Sequence, residues 1–195
     1  MHAPGPIRLT AVVGSVTPPG RLRRAVAEAL GRTVAAGLAT VELIDLADTR
    51  IAFADGRPLA SLTDDTPAVV GAIEQADAVM LATPVYRASL TGALKNLLDQ
   101  VPVPALRGTP TAIVAMGGSD HHYLGAERHL RDVLSFFGAH TLPTAVYLTG
   151  RDFTDGVPGD RAAAELDALL AAAVSLAGAL HAAPPLGPAP LAGGF

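Results

Sequence analysis

The chain has 195 residues, half of them apolar, and its 14 basic and 18 acidic side chains give a net charge of −4. That length suits one domain with a real core, and the mildly acidic balance argues against nucleic acid or an anionic membrane as partner. There is no cysteine, which excludes disulfides, thiolate metal sites and cysteine nucleophiles and fits a cytoplasmic location.

The opening MHAPGPIRLT lacks the basic-then-apolar order of a secretory signal. No unbroken apolar run approaches the roughly 18 to 20 residues of a membrane-spanning helix, so no membrane is expected. Thirteen of the basic residues are arginine, and Lys95 is the single lysine. It falls inside a helical pattern rather than after a glycine-rich turn, which disfavours P-loop chemistry.

In chain order, Ile7 to Gly14 reads as a first buried strand, and SVTPPG as a loop. Leu22, Val26, Leu30 and Val34, spaced by four, predict a helix from Arg21 to Leu38. Val41 to Asp45 is a second strand, and Leu46 to Thr66 a long irregular connection. Pro67 to Ala76 reads as a helix with Thr66 as N-cap and Pro67 at its first position. Ala78 to Ala82 is a continuous apolar strand, and Gly92 to Gln100 a short helix stopped by Pro102 and Pro104. Thr111 to Met116 is another apolar strand, followed by the Gly117-Gly118 turn. Glu127 to Phe137 predicts a helix ending at Gly138, Ala139 to Leu148 contains a fifth strand, and Gly159 to His181 an alanine-rich last helix. Residues 1–181 are expected to form one domain, with 182–195 a Pro/Gly/Ala-rich flexible tail.

Strands that are apolar throughout are covered on both faces, hence parallel with right-handed crossovers. Five of them alternating with helices fit an α/β three-layer sandwich of flavodoxin-like arrangement, with sheet order 2-1-3-4-5. In such a sheet the ligand binds at the carboxyl ends of the strands, at the switch point between strands 1 and 3. Three unusual loops meet there: GSVTPPGR, TPVYRASLTG and MGGSDHHY. The first ends at a helix N-terminus, where free N–H groups, Ser15, Thr17 and Arg21 suit a phosphate monoester; the alternative is that these residues only satisfy turn and cap hydrogen bonds. It lacks G-x-G-x-x-G, so no dinucleotide fingerprint is present. In the second loop Pro84 stiffens the strand exit, Tyr86 offers an aromatic wall and Arg87 bidentate donors, against a plain proline turn with Tyr86 in the core. Gly117 and Gly118 allow close approach of a flat ligand, or form a tight turn.

The segments GSVTPPGRLRRAVAEAL, ATPVYRASLTGALKNLLDQVP and MGGSDHHYLGAERHLRDVLSFFGAH resemble the three signature stretches of the NADPH-dependent FMN reductase family, nearest to the reductase components of alkanesulfonate monooxygenase systems. The resemblance runs from about Ile7 to Tyr147. It implies an enzyme, an NAD(P)H:FMN oxidoreductase with FMN and NADPH or NADH, a homodimer or homotetramer, and a two-component monooxygenase as partner for the reduced flavin. By position, Ser15, Thr17, Arg21 and Leu22 would hold the flavin phosphate. Pro84, Val85, Tyr86 and Arg87 would flank the ribityl chain and ring, and Gly117, Gly118 and Ser119 would approach the ring edge. Leu90 to Leu98 would lie mainly in the oligomer interface. The chain departs from the family at Gly20, where a serine is usual, and at Arg128 in ERHL, where an aromatic is common.

Hydride transfer needs stacking and exclusion of water rather than a protein acid or base, so no catalytic side chain is assigned. His121, His122 and His129 invite a metal reading. The adjacent pair diverges and no carboxylate has ligand spacing, so no metal is assigned either. Two other functions fit the same fold: a quinone or azo reductase using bound FMN, and a non-enzymatic flavodoxin-like electron carrier.

Overall fold

The structure, a computed structural model, describes residues 5–17, 20–181, 183, 186 and 187, with the backbone alone at 122 and 124. The expected tail, apart from 183, 186 and 187, lies outside the described residues. Strands β1 (Arg8–Val13), β2 (Thr40–Asp45), β3 (Ala78–Pro84) and β4 (Pro110–Met116) form a parallel sheet of order β2-β1-β3-β4, extended beyond β4 by β5 (His140–Thr141) and β6 (Val146–Leu148). Helices α1 (Arg21–Ala35), α2 (Thr66–Glu74), α3 (Gly92–Gln100), α4 (Tyr123–Phe137) and α5 (Asp160–Leu180) cover it. This is the flavodoxin-like 2-1-3-4-5 order.

The sheet divides the apolar residues into two cores, because successive side chains of a strand point to opposite faces. Leu9, Ala11 and Val13 of β1, Ala78, Met80 and Ala82 of β3, and Ala112 and Val114 of β4 meet α1 and α5. Val12, Val79, Leu81 and Ile113 meet α2, α3 and α4. The first face is rich in alanine, and the alanine-rich α5 lies against it. By length and composition α5 could cross a membrane; a count of unbroken apolar residues passes it over because Glu165, Asp167 and Ser175 interrupt the run. Its stripe of Leu166, Leu170, Ala173 and Ala177 is buried in the first core.

Four elements differ from the sequence reading, each for a local reason. The fifth strand is two pieces. Both pair with β4, but four residues separate Thr141 from Val146 where two separate Thr111 from Val114, and Pro143 in that gap has no N–H to give the ladder. Helix α4 starts at Tyr123, four residues early, and carries Gly125 in its first turn. Thr66 is inside α2 rather than its cap; its hydroxyl accepts the Ala52 N–H at 2.8 Å, and Asp65 takes the cap position. Val34 is exposed, because a spacing of four drifts about 40° per step around a helix, and Ala29 and Thr33 take the buried stripe instead. A small hairpin, β7 (Phe153–Thr154) and β8 (Val157–Pro158), sits beside α1 and had no counterpart in the sequence reading.

The leucines of α3 face inward. Leu94, Leu97 and Leu98 are 0–2% exposed within the protomer's own second core. They are therefore core residues, and α3 turns Gly92, Lys95 and Asp99 outward.

At the opposite end of the sheet, Asp77 joins the starts of β1 and β3. It accepts the Arg8 backbone N–H at 2.8 Å and ion-pairs with the Arg8 guanidinium at 3.3 Å, with the His181 ring 3.4 Å away. Burial pushes its carboxyl up, but the hydrogen bonds and charge of Arg8 outweigh this and hold it below the ordinary value of 3.8. The unfolded chain therefore takes up this proton first on acidification. The stabilisation is complete above pH 3.8 and is lost as pH falls through the lower folded value. Asp77→Asn is expected to lower stability at neutral pH and to flatten the wild-type decline below about pH 4, measured by urea unfolding at a series of pH values.

Candidate functional site

β1 and β3 are neighbours whose following helices leave to opposite faces of the sheet, and this opens a crevice between their exits. Buried hydrogen bonds set its floor. The Thr91 hydroxyl accepts the Leu94 N–H at 3.1 Å, capping α3, and donates to the Gly14 carbonyl. The Thr91 N–H donates to the Thr83 hydroxyl at 3.2 Å, which donates to the Pro84 carbonyl at 3.0 Å, while the Gly14 N–H reaches the Ala82 carbonyl at 2.7 Å. A β-carbon on Gly14 would lie 2.8 Å from the Leu94 β-carbon, so only glycine lets α3 come this close to the exit of β1.

Above this floor lies a cavity of about 240 Å³. The end of β1 contributes Val13, the first loop Ser15 and Thr17, the start of α1 Gly20, Arg21, Leu22 and Arg23, and the end of β2 Asp45. Pro84, Tyr86 and Met116 close the other side. The Ser15 and Thr17 hydroxyls are 2.7 Å apart. α1 has no side-chain cap at Gly20 and no acidic residue in its first turn, so its dipole and Arg21 favour an anion at this end, while Arg23 pairs with Asp45 at 2.7 Å and Arg24 with Glu28 at 2.9 Å. Leu22 is 5% exposed, its side chain in the first core; it can serve an anion only through its backbone N–H. Arg21 lies over the Phe153 ring, 5.6 Å from its centroid, and its guanidinium would come within 3.2 Å of a β-carbon on Gly150.

The second loop is a strained turn. Tyr86 and Ser89 exchange N–H···O bonds of 2.9 and 3.0 Å, and the two residues between them, Arg87 and Ala88, both have left-handed backbones with φ of 51° and 62°. This is the geometry of a two-residue hairpin turn that normally takes Asn-Gly, and it costs about 1–3 kcal/mol for each such residue. Helix α4 holds it. Gly125 sits so close that a β-carbon there would be 2.5 Å from the Ala88 carbonyl oxygen, and the His129 Nδ1 is 2.8 Å from the Ser89 hydroxyl. That contact explains a glycine in the first turn of α4. It leaves the Tyr86 ring half-exposed at the cavity mouth.

The third loop is propped from behind by Tyr147 of β6. Its hydroxyl donates to the Ser119 carbonyl at 2.7 Å and lies where a β-carbon on Gly117 would be, 1.8 Å away. Burial, and then the charge of Asp120, push the Tyr147 phenol up, so it remains a donor. Asp120 is itself paired with Arg151 at 2.7 Å.

Of the residues singled out from the sequence, Ser15, Thr17, Arg21, Leu22, Pro84 and Tyr86 wall the one cavity. Val85 is tied by its N–H to the Met116 carbonyl at 2.8 Å, and Arg87 is at the exposed tip of the turn. Gly117 is buried against Tyr147, and Gly118 and Ser119 follow it on the rim. The sequence reading missed Tyr147, Phe153, Gly125 and the Arg23–Asp45 contact. A tyrosine in a short apolar strand and a glycine in a helix are visible in sequence, but their partners are remote along the chain.

The fold and crevice define the class: a flavodoxin-like α/β protein with a crevice at the β1–β3 switch point. Within that class the chain belongs to the NADPH-dependent FMN reductase family, whose pattern it matches over residues 7–154, and by class it is an NAD(P)H:FMN oxidoreductase. It is 41% identical over 107 residues to an NAD(P)H-dependent FAD/FMN reductase of Geobacillus thermodenitrificans, a stretch covering 55% of this chain and 58% of that one. It is 38% identical over 153 residues to an FMN reductase (NADPH) of Pseudomonas aeruginosa, covering 76% of this chain and 80% of that one. Among solved structures it resembles the apo form of the NADH:FMN oxidoreductase EMOB, with a TM-score of 0.74 and 27% identity over 91% of this chain and 92% of that one.

Two substitutions test the scaffold. Thr91→Val removes both the cap and the donor to the Gly14 carbonyl, and is expected to cost about 2–3 kcal/mol in chemical denaturation, with Thr91→Ser keeping most of it. Gly117→Ala forces a β-carbon into the Tyr147 hydroxyl and is expected to cost about 1–3 kcal/mol. Gly118→Ala, which meets only open space, is expected to stay within about 0.5 kcal/mol of wild type.

Proposed function

We propose that the protein reduces FMN with NADPH or NADH at this crevice, and that the reduced flavin leaves to serve a partner monooxygenase. The observation that carries the reading is the polarity of the cavity: a basic, uncapped helix start at one end, and Pro84, Tyr86 and Met116 at the other. That gradient suits a ligand with a dianionic tail and a flat, largely apolar head.

In this reading the N–H groups opening α1, the Ser15 and Thr17 hydroxyls and the Arg21 guanidinium hold the phosphate, and Leu22 contributes its backbone. Pro84, Val85, Tyr86 and Arg87 line the flank of the ribityl chain and ring, the strained turn fixing the Tyr86 face. Gly117, Gly118 and Ser119 approach the ring edge, held forward by Tyr147. When bound, FMN supplies the hydride-accepting centre opposite the nicotinamide. The chain's own task is to bind, to align two flat rings and to exclude water between them, and it needs no proton donor for that. Exchange of FMN with solvent is favoured by Gly20, which brings no hydroxyl to the phosphate end, and by the exposed Tyr86.

The test is oxidation of NADPH and NADH by the purified protein with added FMN, followed by the loss of reduced-nicotinamide absorbance. Turnover is expected, with FMN preferred to riboflavin. Arg21→Ala is expected to raise the KM for FMN about 10- to 100-fold and that for riboflavin far less, since a charge-assisted contact is worth about 1.5–3 kcal/mol. Absence of oxidation with both nucleotides overturns the proposal.

A further inference from the structure

The phosphate end of the cavity contains a carboxylate. Asp45 ends β2 opposite Val13, its side chain is 6% exposed, and it lines the cavity beside Arg23. A bare buried carboxylate there would repel a dianion, so its presence needs a reason. One oxygen accepts the Ala47 N–H at 3.0 Å. The other lies 2.7 Å from the Arg23 Nε, yet both atoms are buried and, among the described residues, neither makes an aligned hydrogen bond. The contact is thus an ion pair held by charge and burial, not by an N–H aimed at oxygen. It keeps the guanidinium beside Asp45 at the cavity wall. Arg23 is 36% exposed, so without this anchor its head could swing out to water.

We infer that Arg23 is a second phosphate-recognising guanidinium, complementary to Arg21, and that Asp45 is the positioning residue that holds it at the cavity wall. The inference rests on the reading of this cavity as the flavin phosphate site. Arg21 is laid against Phe153 and approaches from the hairpin side; Arg23 approaches from the β2 side. Two planar forks on different sides of one anion discriminate a phosphate monoester from an uncharged alcohol more sharply than one.

The sign of one substitution decides the matter. Asp45→Asn keeps an acceptor for the Ala47 N–H but removes a negative charge from the cavity. If Asp45 acts only through its own field, the change tightens FMN binding. If it positions Arg23, the change weakens it. Dissociation constants for FMN and riboflavin are measured by flavin fluorescence on wild type, Asp45→Asn, Arg23→Gln and the double variant. We expect Asp45→Asn to weaken FMN about tenfold and riboflavin less than twofold, Arg23→Gln to weaken FMN at least as much, and the double variant to be no worse than Arg23→Gln. A general loss of packing would weaken both flavins alike. Unchanged or tighter FMN binding by Asp45→Asn overturns the positioning role while the FMN preference of wild type still stands. A wild type that binds FMN no better than riboflavin overturns the phosphate reading itself.

Discussion

The Thr91 hydroxyl, donating to the Gly14 carbonyl while accepting the Leu94 N–H, is the contact on which the crevice depends. Two strand exits and a helix start converge at one buried point, and each brings a backbone group that water cannot reach. Left unmade, each would cost about 1–3 kcal/mol. Thr91 satisfies two of them, and Thr83, 3.2 Å from the Thr91 N–H, satisfies a third. The geometry tolerates little variation, because Gly14 already touches Leu94. The separation of the β1 and β3 exits, and hence the width of the slot above them, follows from this small polar knot in an apolar surround.

Rigidity of the floor permits strain in the wall. Arg87 and Ala88 would not adopt left-handed backbones in a free loop. Here the turn is clamped between the end of β3 and the first turns of α4, by the Gly125 approach and the His129–Ser89 contact. Part of the packing energy of α4 is thereby used to hold Tyr86 outward. The third loop follows the same logic, with Tyr147 in place of α4: the ring behind Gly117 stops the loop from collapsing onto β6. In both loops the residue facing the cleft is ordinary and the specialised residue stands behind it.

This arrangement explains what was legible in the sequence. The sheet order was readable because β3 and β4 are apolar throughout and glycine or proline punctuates their ends. The three loops were readable because they concentrate hydroxyls, arginine, proline and glycine where a switch point must fall. The supports were not. Gly125 looks like a poor helix residue until Ala88 is placed beside it, and Asp45 looks like the end of a strand until Arg23 reaches it. The split of the fifth strand was foreshadowed by Pro143, but locating the two extra residues required the register of β4. Local chemistry marks the loops of unusual composition; the contacts that shape them link residues tens of positions apart.

Two helices begin on the rim of this cleft, and their starts are treated differently. α3 is capped by Thr91, so one of its leading N–H groups is already satisfied by the protein. α1 begins after Gly20, which has an extended backbone and no side chain to fold back. A serine there could cap α1 itself and compete with an incoming anion for the same N–H groups. Glycine forgoes that cap, leaving the helix start slightly less stable when empty and more dependent on what binds it. In the proposed reading, anion binding and completion of α1 thus become a single event. In the proposed reading, the missing hydroxyl at position 20 removes one donor to the phosphate and at the same time keeps the helix end open to it, a balance that suits a flavin arriving and departing in each cycle.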